Sequence, residues 1–387
     1  FGITARPLEI TANNINRYYG DSNPAFTYTL QTSGTGVGLA SVESISDVAI
    51  SASAALTNTS NAGSTAVLTP TGQTFSAGKA SNYSITYKTG TLTVDRRPVT
   101  VTANDNQTKV YGENNPSSYT YTASTGTDGS HSGLVNGNSL TGSLTRVAGE
   151  DVGSYAINQG SVTNDANTNY SITYVGKNFG ITARPITVTA QTNTKVYDGN
   201  KNSAVTPTIT SGSLANNSNV SLADVVTLTQ TYDNKNAGTG KTLTPLAVIK
   251  KSDNTTVATS NYAITYVNDT TGEITARPLT ITAADGSKVY GEANPTITGF
   301  SVTAATANTG LVSGENVSSV TNTLYTDSNH TVAVGSHTDV GSAYKVTPSA
   351  AVFGSGSSSN YNITYVDGTF GITARPLEIT ANNINRY

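Results

Sequence analysis

One short string, Ile-Thr-Ala-Arg-Pro or a near variant, returns five times in 387 residues, and its spacing constrains the fold more than any other feature. Its prolines are Pro7, Pro98, Pro185, Pro278 and Pro376, separated by 91, 87, 93 and 98 residues. Intervals of that length suit one small domain each and exceed the roughly 20 to 50 residues of a solenoid repeat. The chain reads as four tandem domains, each expected to bury its own core. A longer period sits above this one. Residues 1–18 and 370–387 are identical, an offset of 369 residues. A duplicated four-domain block is the simplest source, so an internal piece of a larger protein is expected.

Within each interval the landmarks keep their order. An alternating run follows each Arg-Pro, as in Leu8-Glu9-Ile10-Thr11-Ala12 and Val99-Thr100-Val101-Thr102-Ala103. A Tyr-centred turn comes next: Arg17 to Asp21, Lys109 to Glu113, Lys195 to Gly199 and Lys288 to Glu292. Three of these turns continue into Asn-Pro (Asn23-Pro24, Asn115-Pro116, Asn294-Pro295), where Pro fixes φ and Asn favours a turn. After an irregular middle, each interval closes on Asn-Tyr-x-Ile-Thr-Tyr, starting at Asn82, Asn169, Asn261 and Asn360. In a strand the two tyrosines of that motif share one face. The pairs Tyr83/Tyr87, Tyr170/Tyr174, Tyr262/Tyr266 and Tyr361/Tyr365 are therefore expected to cover the core, with hydroxyls at its wet rim.

The apolar parity switches at each Arg-Pro, for example from Leu92/Val94 to Val99/Val101. One continuous strand would then turn its apolar side chains to opposite faces, and proline cannot donate to a ladder. Boundaries at Arg-Pro give 1–6 as the end of a preceding repeat, 7–97, 98–184, 185–277 and 278–375 as four repeats, and 376–387 as the start of the next block. The junction residues are Arg6-Pro7, Arg97-Pro98, Arg184-Pro185, Arg277-Pro278 and Arg375-Pro376. Each arginine reads either as a clamp on a Tyr or carboxylate of the adjacent repeat or as a solvated charge guarding a strand edge. A linker this short, stiffened by proline, predicts repeats joined end to end into an elongated rod of very roughly 120 to 160 Å.

Composition narrows the function. Thr, Ser and Asn make up well over a third of the chain, and the formal net charge is −3 with 12% charged residues. Absent Cys excludes disulfides, thiolate metal sites and thiol nucleophiles. With only 21 Lys plus Arg there is no basic face for nucleic acid, and no apolar run is long enough to span a bilayer as a helix. The balanced charge and the alternation of Val, Ile, Leu and Tyr with Thr and Ser argue for folded strands over disorder. The expected fold is all-β: four small sandwich-like units of immunoglobulin-like proportions, about seven short strands each. A β-grasp unit with a short helix near Gly137–Leu144 is the alternative.

Candidate chemistry is sparse. His131, His330 and His337 occupy no repeated position, and no nucleophile elbow, phosphate loop or paired-carboxylate motif stands out. No cofactor is expected; calcium is the more plausible metal for a β array, although neither EF-hand nor Gly/Asp-rich nonapeptide is present. Lys109, Lys195 and Lys288 raise lysine–asparagine cross-linking, against which Arg17 holds the same place in the first repeat.

Lys-Val-Tyr-Gly-Glu with Asn-Pro, the Asn-Tyr-x-Ile-Thr-Tyr ending and the Thr-Ala-Arg-Pro joint together resemble MBG repeats of the YGX type, and Tyr197-Asp198-Gly199 resembles the sister YDG type. The resemblance covers essentially the whole chain. It implies a segment of a very large bacterial exoprotein similar to filamentous haemagglutinins, exported by two-partner secretion, displayed outside the cell and serving adhesion or biofilm matrix. It brings no catalytic or ligand residues. The expected role is a non-enzymatic stalk or fibre whose partners are adjacent repeats, with other copies of the fibre or extracellular polysaccharide as further candidates.

Overall fold

The structure is a computed structural model that describes residues 1–383. By contacts the chain divides into two compact units, Phe1–Arg184 with Asn217–Ser221, and Pro185–Asn216 with Leu222–Tyr387. The last four positions of the duplicated 18-residue string fall outside the described residues.

Each repeat is a pair of sheets built from the same plan. In repeat 1 the strands are β1 (Arg6–Ala12), β2 (Ile15–Tyr18), β3 (Tyr28–Leu30), β4 (Ser44–Ala52), β5 (Thr65–Ala77), β6 (Tyr83–Lys88) and β7 (Gly90–Asp95). They form a three-stranded sheet, β3-β1-β6, and a four-stranded sheet, β2-β7-β5-β4. Repeat 2 follows with β8 (Arg97–Ala103), β9 (Gln107–Val110), β10 (Tyr121–Ala123), β11 (Thr145–Arg146), β12 (Gly153–Asn158), β13 (Tyr170–Val175) and β14 (Asn178–Thr182), in sheets β10-β8-β13 and β11-β12-β14-β9.

Repeat 3 holds β15 (Arg184–Thr189), β16 (Thr194–Val196), β17 (Thr208–Ser211), β18 (Asn216–Asn217), β19 (Leu222–Ala223), β20 (Val225–Tyr232), β21 (Gly238–Lys250), β22 (Tyr262–Val267) and β23 (Asp269–Thr275). Its main sheets are β17-β15-β22 and β16-β23-β21-β20, with β18 and β19 as an added pair. Repeat 4 completes the set with β24 (Arg277–Ala283), β25 (Gly286–Val289), β26 (Phe300–Val302), β27 (Asn316–Tyr325), β28 (Gly341–Ser355), β29 (Tyr361–Val366) and β30 (Gly368–Thr373), in sheets β26-β24-β29 and β25-β30-β28-β27.

The fold is all-β, with domains repeated in tandem. The helical pieces among the described residues are three-residue 3₁₀ turns, so none is long and apolar enough to cross a membrane. The helix considered for Gly137–Leu144 is not formed. Gly, Asn and Ser are poor helix formers, and this stretch instead supplies loop groups to the neighbouring repeat.

Sheet pairing follows from side-chain alternation. In β1, Leu8, Ile10 and Ala12 turn inward while Pro7, Glu9 and Thr11 turn outward. Leu8 and Ile10 meet Val48, Tyr83, Phe75 and Ile85 between the sheets, and Ala12 joins Ala66, Leu68 and Leu92. The parity switch has a related cause: the one-residue step at Arg96 separates β7 of the four-stranded sheet from β8 of the next three-stranded sheet. The arginine belongs to the incoming strand, since Arg6, Arg97 and Arg277 stand opposite Tyr83, Tyr170 and Tyr361 in the ladders.

Repeats 1 and 4 have cores of their own, but neighbouring repeats also share clusters, so their packing is not fully independent, which corrects that expectation. Tyr19 and Val94 of repeat 1 share one cluster with Val99, Val135 and Tyr170 of repeat 2. Ala190, Tyr197, Tyr232, Leu243 and Ile274 of repeat 3 likewise share one with Leu279, Ile281 and Tyr361 of repeat 4. With small domains short of apolar residues, a shared cluster removes more apolar surface from water than two separate ends would.

Candidate functional site at the repeat junction

The junction begins with the arginine that opens each repeat. Inward parity places Arg97 on the same face as Val99 and Val101, and its side chain is fully buried. Its guanidinium closes a loop of its own repeat: Nε donates to Gly133 O at 2.9 Å, and Nη2 donates to Thr127 O at 2.7 Å and Ser130 Oγ at 2.8 Å. Nη1 reaches into repeat 1, donating to Tyr19 O at 3.0 Å and Asp21 Oδ1 at 2.6 Å. The other Asp21 oxygen meets His131 Nδ1 at 2.7 Å. Burial favours the neutral acid, but the bonds from His131 and Arg97 outweigh it and hold the Asp21 carboxyl below its ordinary range.

Arg277 repeats the geometry without the carboxylate. Nε donates to Gly310 O at 2.7 Å, and the remaining nitrogens reach Ala307 O, Thr306 O and Thr309 O, with Tyr197 O of repeat 3 at 3.2 Å. Residue 199 in the Tyr-Asp-Gly turn is glycine, so the position of Asp21 offers no acid there. Arg6 makes the loop contacts to Gly34, Val37 and Gly38 carbonyls. Arg184 Nη1 lies 3.3 Å from Tyr111 O, and Arg375 sits beside the Tyr290-Gly291 turn. The prolines Pro7, Pro98, Pro185, Pro278 and Pro376 all face outward. Carbonyls of Pro7, Pro98 and Pro278 accept N–H bonds from Gly38, Gly133 and Gly310 at 2.9, 2.8 and 2.9 Å.

Aromatic rings carry the second contact. Tyr19 and Tyr170 meet edge to face with centroids 5.6 Å apart, and Tyr197 and Tyr361 do so at 5.7 Å. Such pairs contribute about 0.5 to 1.5 kcal/mol beyond their burial. One polar side chain ties both phenols in each pair. Asn138 Nδ2 donates to Tyr19 at 3.0 Å and to Tyr170 at 3.1 Å. Glu315 accepts from Tyr197 at 2.5 Å and from Tyr361 at 2.6 Å. Burial, reinforced by this carboxylate, pushes the Tyr361 phenol up to about 12 and moves Tyr197 in the same direction.

A third contact uses the asparagine of the closing motif. Asn169 Oδ1 accepts from Ala62 N and Asn360 Oδ1 from Ala237 N, each at 2.9 Å, so both reach the preceding repeat. The glycine of the Tyr-centred turn completes the fit. Gly20 has φ +86°, and a Cβ there would lie 2.3 Å from Val135 Cγ2. Gly199, shifted by one residue in the Tyr-Asp-Gly variant, approaches Val312 in the same way.

The closing tyrosines separate into two classes, a correction to the shared-core expectation. Tyr83, Tyr170, Tyr262 and Tyr361 are buried. Their hydroxyls accept from loop amides of Ala40, Val135, Ala215 and Val312. Tyr87, Tyr266 and Tyr365 are 38, 40 and 37% exposed, and Tyr174 is half-buried. These four sit where the two sheets meet at one side and reach Gln73, Ile157 O, Ala247 N and Ala351 N in the opposite sheet. β6, β13, β22 and β29 are edge strands of their sheets, so the second tyrosine, although opposite the buried Ile10, Val101 and Ile281 in repeats 1, 2 and 4, lies at the open side between the sheets.

Sequence reading missed the Gly-Leu-Val element of the irregular middle. Gly38-Leu39-Ala40, Gly133-Leu134-Val135 and Gly310-Leu311-Val312 recur, followed three residues later by Glu43, Asn138 and Glu315. Buried cations under the Tyr-centred turns form a separate support. Lys288 Nζ binds Asn294 Oδ1 at 2.8 Å and Gly335 O at 2.6 Å, and Arg17 Nε binds Asn23 Oδ1 at 2.7 Å. An arginine doing the same task marks the lysine as a hydrogen-bonding post for the turn. Among the described residues no group of three or more His, Asp or Glu side chains could hold a metal.

Shared cores, the buried Arg97 and Arg277 crossing two of the joints, and paired phenols define a class of protein: tandem β-domains built around structural junctions. The chain belongs to the MBG domain (YGX type) family, which matches residues 8–93, 99–180 and 279–371, and residues 182–271 match the YDG domain. No curated protein matches the chain.

Proposed function

We propose that the array is a stalk or fibre segment of a repetitive bacterial surface or secreted adhesin, holding a binding region away from the cell. The observation that carries this reading is the coupling at the joints: one residue separates β7 from β8 and β23 from β24, and each joint has a common apolar cluster. Such joints resist bending, which suits a spacer. The reading includes no catalysis, no cofactor and display outside the cell. An antibody raised against the array should bind intact, unpermeabilised producing cells or their secreted matrix; signal only after lysis contradicts the reading.

A second reading, binding of extracellular polysaccharide, is favoured by the half-exposed rings of Tyr87, Tyr266 and Tyr365, which recur in three of the four repeats. A glycan array probed with the purified chain separates the two: specific binding lost on Tyr→Ala substitution supports the module, and no binding supports the spacer.

A further inference from the structure

The pairing of first and last strands in repeats 1, 2 and 4 is parallel throughout. In repeat 1, β1 lies parallel to β6 over six register pairs, Arg6↔Tyr83 to Thr11↔Lys88. After Asn13-Asn14 the chain enters the other sheet as β2, and after Thr89 its partner enters the same sheet as β7. There β2 lies parallel to β7 over four pairs, Ile15↔Leu92 to Tyr18↔Asp95. The opening run β1–β2 and the closing run β6–β7 therefore travel side by side through both sheets. Repeats 2 and 4 keep the same six and four pairs.

This geometry fixes how tension acts. Force on the chain enters at the start of the opening run and leaves at the end of the closing run. Between two parallel strands those points lie at opposite ends of the ladder, so stretching slides one run along the other. Every bond of the ladder is then loaded together. An antiparallel hairpin pulled from its open end, such as β4–β5, instead yields one bond at a time. At the joint of repeats 1 and 2, Arg97 also holds the carbonyl of Tyr19, the residue just after β2, which anchors the opening run to the next repeat.

We propose that this double parallel ladder is a force-bearing clamp, making resistance to stretch along the chain a function of repeats 1, 2 and 4. Its use in the cell rests on the stalk reading above; the mechanical property does not. Absent native cysteine, paired cysteines set the direction of pull in the otherwise unaltered full chain. One variant carries Thr4→Cys and Arg96→Cys, loading repeat 1 along the clamp. The other carries Ser41→Cys and Lys79→Cys, opening β4–β5 from its free end. All four positions are exposed, and circular dichroism checks that both variants keep the native spectrum. In single-molecule pulling at one loading rate, the first should unfold at several-fold higher force, with a contour gain of roughly 280 Å. Equal or lower force along the clamp overturns the proposal. Cell-surface labelling is unaffected by either result, so failure of the clamp and failure of the stalk reading are distinguishable.

Discussion

Arg97 of the second repeat and Asp21 of the first meet at 2.6 Å across 76 residues of sequence, with both side chains almost fully removed from solvent. Neither charge is isolated, because the guanidinium also binds four groups of its own repeat and the carboxylate also binds His131 and Gly129 N. Removing one member of a buried pair leaves the other uncompensated, at a cost of about 3 to 5 kcal/mol. Arg97→Ala should lower stability by that amount in chemical denaturation. Arg97→Lys should recover little of it, since an ammonium cannot reproduce the planar fork that spans both repeats.

Acid should loosen the same joint. The folded-state carboxyl of Asp21 is held below the ordinary aspartate value of about 4. Its contribution is therefore complete above about pH 4 and is lost as pH falls through the lowered folded value. Denaturation midpoints measured down the acid limb should decline for the native chain. Asp21→Asn should be less stable at neutral pH and show a flatter acid limb.

The joint of repeats 3 and 4 should respond to alkali instead. With the Tyr361 phenol pushed up to about 12 and Tyr197 raised as well, the folded state favours the protonated rings. That stability is complete below the ordinary tyrosine value of about 10 and is lost as pH rises between about 10 and 12. Glu315→Gln removes the carboxylate that accepts from both rings. Tyrosinate absorbance should then show part of the delayed ionisation moving to lower pH, burial accounting for what remains.

Gly20 tests the steric side of the contact. Gly20→Ala combines a left-handed backbone, costing about 1 to 2 kcal/mol, with a Cβ that collides with Val135. Adding Val135→Ala should relieve the collision but not the backbone cost. The double variant should therefore be more stable than the sum of the two single effects, as read by a double-mutant cycle in denaturant.

The spacing of Arg-Pro and the alternation after it were enough to read tandem β repeats, because strand periodicity and domain length act locally. Strand order was not legible: nothing near Arg6 or Tyr83 announces that they will face each other in a parallel ladder. The clamp reading of arginine was available, yet its ligands are chiefly loop carbonyls, which every residue type supplies and no motif marks. Glu315 and Asn138 occupy one position with different chemistry, an acid and an amide, and each satisfies two phenols. Identity at that position hides the equivalence. The second tyrosine of each closing motif went astray for a different reason, since alternation fixes the face of a strand but not whether that strand lies at the edge of its sheet.

Stiff coupling between neighbouring repeats is the claim on which the account stands. Spin labels at Ser51→Cys and Ser171→Cys, exposed positions in repeats 1 and 2, measure it directly through their distance distribution by pulsed electron resonance. The account predicts one narrow distribution that broadens in Arg97→Ala; a broad distribution in the native background, unchanged by that substitution, would contradict it.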